Sequence, residues 1–161
     1  MTSTLPTVRQ IAWISIIPQI IFMAILVIIM EILSPQNGFL FGVAIYLGIS
    51  IILRTTIPKD HNKGMKKIRE GNFSDAIPDF VKSYDFFTKH IWIDKYRYIT
   101  LLSSSRVSYR EMALNNIAFS YGQIGNGERA KEYYEQTLKE FPNSGLATAG
   151  LRLLNSMGNK N

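Results

Sequence analysis

The 161-residue chain contains no cysteine. Disulfide bonds, thiolate catalysis and zinc sites with thiolate ligands are therefore excluded. The two histidines, His61 and His90, have no partner at the spacing of a metal ligand, so we expect neither a metal site nor a cofactor. A phosphate-binding glycine loop is also missing, because Gly122, Gly125 and Gly127 lie in a predicted turn between helices. With no motif for catalysis, we do not expect an enzyme.

Charged residues are scarce in the first third of the chain, where Arg9 and Glu31 are the only ones before Arg54. The apolar run 11–33 is long enough to cross a membrane as one helix. It is longer than the core of a secretory signal peptide, and no cleavage site of small residues follows, so we expect it to be retained. Turn residues 34–38 lead into a second apolar helix at about 38–54. Residues 1–57 are therefore predicted to form a transmembrane hairpin.

Small residues recur every four positions on the second apolar helix, a spacing that lets another helix approach closely. The simpler interpretation is packing within the hairpin, and the alternative is a homo-oligomer formed through it. The candidate packing residues are Gly38, Gly42, Ala44 and Gly48.

Basic residues flank the two apolar runs and are absent from the turn between them. The positive-inside rule then places both termini in the cytoplasm, in an integral protein of what we expect to be a bacterial cytoplasmic membrane. Anionic lipid is the nearest partner for the basic residues that follow the second apolar helix. Nucleic acid is not expected, for want of a stacking platform or groove-reading motif. The candidate lipid contacts are Arg54, Lys59, Lys63, Lys66 and Lys67.

Residues 111–144 combine small and large side chains at the spacing of a helix–turn–helix repeat. Ala118 and Ala130 let two helices approach, Gly125 ends the first helix and Pro142 ends the second. The large residues between the helices are Ile117, Tyr121, Tyr134 and Leu138. The segment resembles the tetratricopeptide repeat, a unit of about 34 residues. The chain as a whole thus resembles small, bacterial-type, membrane-anchored proteins with such repeats.

A second, less regular copy spans residues 58–90, with Gly71 at its turn and Lys67 where an aromatic residue is usual. Its small and aromatic positions are Gly64, Phe73, Ala76, Phe80 and Tyr84. The intervening residues 91–110 are predicted to contain a helix at about 94–102, and a capping helix at about 144–156 would cover the last repeat. The prediction is an all-α protein in which residues 58–161 form a cytoplasmic solenoid of about six helices.

The resemblance implies protein binding, because the first helix of each repeat lines a concave groove in that family. The groove would comprise His61, Asn62, Met65, Arg69, Met112, Asn115, Asn116, Phe119 and Gln123. The alternative is that Met112 and Phe119 belong to the core, or that residues 91–110 fill the groove. We therefore expect a membrane-anchored adaptor that docks an unidentified protein or peptide. The other candidate is a structural subunit of a larger membrane complex, such as a transporter or secretion assembly, with the hairpin as its interface.

Overall fold

The computed structural model describes residues 13–158. These residues contain nine α-helices and no β-strand. A single 3-10 turn, Trp13–Ser15, precedes them. The helices are α1 (Ile16–Leu33), α2 (Gly38–Thr56), α3 (Lys59–Arg69), α4 (Phe73–Lys89), α5 (Ile91–Lys95), α6 (Arg97–Thr100), α7 (Tyr109–Gln123), α8 (Gly127–Glu140) and α9 (Gly145–Gly158). The all-α prediction is confirmed. The start of the first predicted helix at residue 11, Arg9 and both termini lie outside the described residues.

Helices α1 and α2 pack against each other in antiparallel directions. Gly38 lies against the backbone of Glu31, and a Cβ atom added at Gly42 would lie 2.5 Å from the Cα atom of Val27. Further along, the Tyr46 hydroxyl is 3.5 Å from the Gln19 side-chain oxygen. Two of the predicted small residues therefore serve contact within this pair of helices.

The outer surfaces of α1 and α2 are apolar and exposed. Only 6% of the α1 span and 17% of the α2 span are buried, which differs from the core helix of a soluble protein. Both helices are long and apolar enough to cross a membrane. With 18 and 19 residues, each is about 27–28 Å long. Helix α2 continues to Thr56, slightly beyond its predicted end.

The described chain divides into two compact units. Helices α1 and α2 form the apolar unit together with residues 91–106, whereas Lys59–His90 and the chain from Val107 onward form the helical unit. Residues 91–106 had been expected to belong to the solenoid. In place of one helix at 94–102, they contain the short helices α5 and α6, separated at Tyr96.

Within the helical unit, two turns have the same backbone geometry at a spacing of 54 residues. Gly71 and Gly125 have φ values of +78° and +80°, in the left-handed region that glycine adopts without strain. The next residue in each turn, Asn72 or Asn126, donates its backbone N–H across 2.9 Å to a carbonyl five residues earlier. Helix pairs α3–α4 and α7–α8 are thus joined by turns of the same geometry.

The core of the helical unit lies around α7, which contacts α3, α4, α8 and α9. Phe80 and Ile117 pack with Ala76 in one cluster. Tyr134 packs with Ala118 and Ala147 in the next. Helix α9 begins where Ser144 Oγ accepts a hydrogen bond from the Ala147 N–H at 3.4 Å. Leu151 and Leu154 of α9 cover the second cluster, close to the predicted position of the capping helix.

Candidate functional site

The candidate site is the face formed by α3 and α7, the first helices of the two repeated units. Seven of the predicted groove residues lie on it, at helical spacing and half-buried or exposed: Asn62, Met65, Arg69, Met112, Asn116, Phe119 and Gln123. Asn116 Nδ2 donates to Met65 Sδ at 3.4 Å, which joins the two helices. The Phe119 ring meets Phe73 edge-on, with centroids 5.9 Å apart. We call these seven residues the α3/α7 face.

Two predicted groove residues are buried instead, and their assignment to a binding surface is corrected. His61 is 5% exposed, with its ring edge-on to Phe80 and Tyr109 at 5.4 and 5.2 Å. Burial lowers the pKa of His61 from 6.5 to about 4. Asn115 is also 5% exposed, and its amide donates to the Glu111 carbonyl at 2.9 Å and to Ser144 Oγ at 3.4 Å. Both side chains therefore belong to the interior of the helical unit.

Lys67, one of the predicted lipid contacts, forms an ion pair with Asp79 instead. Its Nζ atom lies 2.6 Å from the carboxylate and donates to the Asp75 carbonyl at 3.0 Å. The hydrogen bond to Asp79 raises the pKa of Lys67. In the second helix–turn–helix, α7–α8, Tyr121 and Tyr133 lie 54 residues after Lys67 and Asp79. Their rings are stacked, with centroids 5.6 Å apart. An ion pair therefore replaces an aromatic pair, which accounts for the irregular residue in the first copy.

The other predicted lipid contacts differ in their surroundings. The Arg54 guanidinium donates to the Leu102 carbonyl within the apolar unit. Lys63 and Lys66 form long, exposed pairs with Asp60 and Glu70 at 3.8 and 3.9 Å. Such exposed ion pairs contribute little to the free energy of unfolding and break readily. Lys59 is exposed at the start of α3.

The four small residues of α2 lie on two sides of the helix. Gly38 and Gly42 are buried against α1, whereas Ala44 and Gly48 are exposed. No atom lies within 4 Å of a Cβ added at Gly48. The Ala44–Gly48 side is therefore open to another helix.

A small pocket of about 180 Å³ lies between α4, α7 and α8. Tyr84, Asp85, Tyr133 and Gln136 supply its polar edge. Small-molecule sites commonly measure about 300–1,000 Å³, so this pocket is too small for a typical metabolite. Among the described residues, no three histidine, aspartate or glutamate side chains are grouped to hold a metal ion.

A polar cluster that the sequence analysis missed joins α4, α7 and α8. Glu140 accepts from Arg110 Nη2 and from the Tyr84 hydroxyl, each at 2.5 Å, and Arg110 Nε donates to Thr88 at 3.1 Å. Burial, together with the hydrogen bond to Glu140, raises the pKa of Tyr84. These residues are far apart in sequence, so no local spacing indicates the cluster. It joins the three helices through side-chain hydrogen bonds.

Comparison with known proteins adds no relative from which a role could be transferred. No protein-family model, curated protein or solved structure matches the chain. The functional argument therefore depends on the geometry described above.

Proposed function

We propose that the protein is a membrane-anchored adaptor whose tetratricopeptide-like helical unit docks an extended peptide on the α3/α7 face. The observation that carries this proposal is the contact between α3 and α7, the first helices of the two helix–turn–helix pairs. Seven accessible residues of these two helices form the α3/α7 face. Helices α1 and α2 serve as a transmembrane hairpin with both termini in the cytoplasm. The repeated turn geometry supports the family resemblance.

The chemistry of the face favours a peptide with an apolar side chain beside an acidic one. Met112 and Phe119 offer half-buried apolar surface. Asn116 supplies an amide that can bond a peptide backbone in either direction. Arg69 is exposed, and no carboxylate within residues 13–158 pairs with it. The net charge of +6 also favours an acidic partner.

Site-specific photocrosslinking in native membranes tests this proposal. A photoreactive residue replaces Gln123 on the face, and in a matched variant it replaces Lys131, which is exposed on α8. We expect a crosslinked partner at position 123 and none at position 131. Adding Phe119→Ala should abolish the crosslink while far-UV circular dichroism stays unchanged.

The full-length chain is the right material for this experiment. A fragment beginning at Lys59 would contain residues 91–106 without the helices α1 and α2 that share their compact unit. Equal crosslinking from positions 123 and 131, or a crosslink at 123 that survives Phe119→Ala, would contradict docking on the α3/α7 face.

The open Ala44–Gly48 side favours a second candidate function, that of a subunit in a larger membrane complex. Close packing on this side would require a small residue at position 48. Gly48→Leu should then shift the protein to a smaller species in a mild-detergent native gel. Gly42→Leu, which disturbs contact with Val27 inside the helix pair, is the matched comparison. An unchanged species in Gly48→Leu would exclude packing through this side.

A further inference from the structure

Residues 91–106, here named the insert segment, connect two helices of the helical unit yet belong to the apolar unit. Arg54, near the end of α2, donates a hydrogen bond to the Leu102 carbonyl. Helix α6 also contacts α1. Because α1 and α2 are antiparallel, the end of α2 lies beside the start of α1. The insert segment is thus joined to this end of the helix pair.

The insert segment exposes four large apolar side chains, which together are called its exposed side. Ile91, Trp92, Tyr96 and Ile99 are 55%, 58%, 43% and 58% exposed. Asp94 and Leu102 are buried, at 2% and 3% exposure, and Leu101 is fully covered. Large apolar side chains exposed together often mark a contact with a protein or a membrane. Tryptophan and tyrosine are the residues that favour the boundary between lipid and water.

Four backbone carbonyl groups of the insert segment accept hydrogen bonds from its own side chains. The Arg97 guanidinium donates to the carbonyls of Asp94, Ser105 and Arg106 at 3.0, 2.9 and 2.6 Å. Thr100 Oγ donates to the Ile93 carbonyl at 2.7 Å. Below the headgroups, where water is scarce, a carbonyl without a partner is costly. With these four carbonyls bonded, the insert segment is suited to the boundary between headgroups and acyl chains.

Positive charge accompanies the exposed apolar side. Lys95 Nζ lies 5.5 Å from the Tyr96 ring centroid, and Arg54 and Arg106 are also exposed. Aromatic and aliphatic side chains beside basic ones characterise helices that lie in the plane of a membrane surface, where anionic headgroups attract the cations.

We propose that the exposed side of the insert segment lies in the headgroup region of the bilayer, so that the protein has a membrane-surface element in addition to its two spanning helices. This inference rests on the proposed membrane insertion of α1 and α2. As a consequence, the helical unit is linked to membrane-bound chain at Pro58–Lys59, at His90–Ile91 and at Arg106–Val107.

Tryptophan fluorescence in lipid vesicles tests the inference with the full-length chain. The protein has two tryptophans, so Trp13→Phe leaves Trp92 as the only one. The vesicles contain phosphatidylcholine and phosphatidylglycerol, with bromine on the acyl chain either near the headgroup or at its middle. An interfacial helix lies about 5–10 Å into the headgroup–acyl boundary. We expect shallow bromine to quench Trp92 several-fold more than mid-chain bromine.

Two matched variants in a tryptophan-free background complete the design. Gln123→Trp reports on the helical unit and should be quenched by aqueous iodide but not by brominated lipid. Ile25→Trp reports on α1, where Ile25 is exposed, and should be quenched by mid-chain bromine.

Three other outcomes distinguish failure of the surface element from failure of membrane insertion by α1 and α2. If Ile25→Trp is quenched by lipid but Trp92 responds only to iodide, the spanning helices stand and the surface element is refuted. A Trp92 shielded from both lipid and iodide would mean that protein covers the segment, which also refutes it. If Ile25→Trp is not quenched by lipid, membrane insertion fails and the inference fails with it.

Discussion

His61 should make the stability of the helical unit sensitive to mild acid. Its ring is buried between Phe80 and Tyr109, and within residues 13–158 its Nδ1 atom has no hydrogen-bond partner. Burial lowers its pKa from 6.5 in the unfolded chain to about 4 in the fold. Between these values the unfolded chain binds a proton that the folded chain does not, so the free energy of unfolding falls as the pH falls.

The magnitude follows from the size of the shift. One pKa unit corresponds to about 1.4 kcal/mol, so the lowered pKa of His61 costs about 3 kcal/mol once the pH is below 4. About 2 kcal/mol of that is lost between pH 7 and pH 5. This is a large part of the total stability of a small domain.

Guanidinium unfolding in detergent micelles, followed by circular dichroism at pH 7, 6 and 5, measures this effect. Replacing His61 with leucine removes the titrating group, so the variant should lose less stability than the parent chain over this range. His90→Gln, which removes the only other histidine, is the matched comparison. If His61→Leu and the parent lose equal stability between pH 7 and pH 5, the argument from burial is refuted.

Two further predictions concern the repeated units. A Cβ atom at Gly64 would lie 2.8 Å from the fully buried Phe80 ring, so Gly64→Ala should lower the unfolding free energy by about 1–2 kcal/mol. Gly122→Ala meets only an ordinary 3.9 Å contact and should raise it by up to about 1 kcal/mol, and thermal melts that rank the two variants in the opposite order would contradict this. Lys67→Ala leaves the Asp79 carboxylate buried without its partner and should lower the free energy of unfolding. Converting Lys67 and Asp79 together to tyrosine should lower the free energy of unfolding by less than the sum of the single changes, and additive losses in this double-mutant cycle would refute the equivalence of the two pairs.

Local sequence signals predicted the elements of the fold well. The apolar runs identified α1 and α2, because length and composition are properties of a continuous segment. Gly71 and Gly125 identified the repeated turns, since a left-handed residue at the end of a helix favours glycine whatever surrounds it. Seven of the nine predicted groove residues are half-buried or exposed on α3 and α7, and their role in binding stays a prediction.

Contacts between distant segments were not predictable in the same way. A polar side chain in a helix gives no local sign of whether it faces water or a neighbouring helix. For this reason His61 and Asn115 were assigned to the surface, and only packing against Tyr109 and Ser144 shows that they are buried. Lys67 was assigned to lipid for the same reason, although Asp79 lies within reach.

The sequence by itself determined that this protein is helical, that two of its helices are long and apolar enough to span a membrane, and where its two similar turns lie. Only the tertiary structure decided the position of residues 91–106. Their aromatic side chains suit either a protein core or a membrane surface, and the sequence does not distinguish the two. The bond from Arg54 to the Leu102 carbonyl joins segments 48 residues apart, and such long-range contacts, with that between α6 and α1, place the insert segment in the same compact unit as the apolar helices.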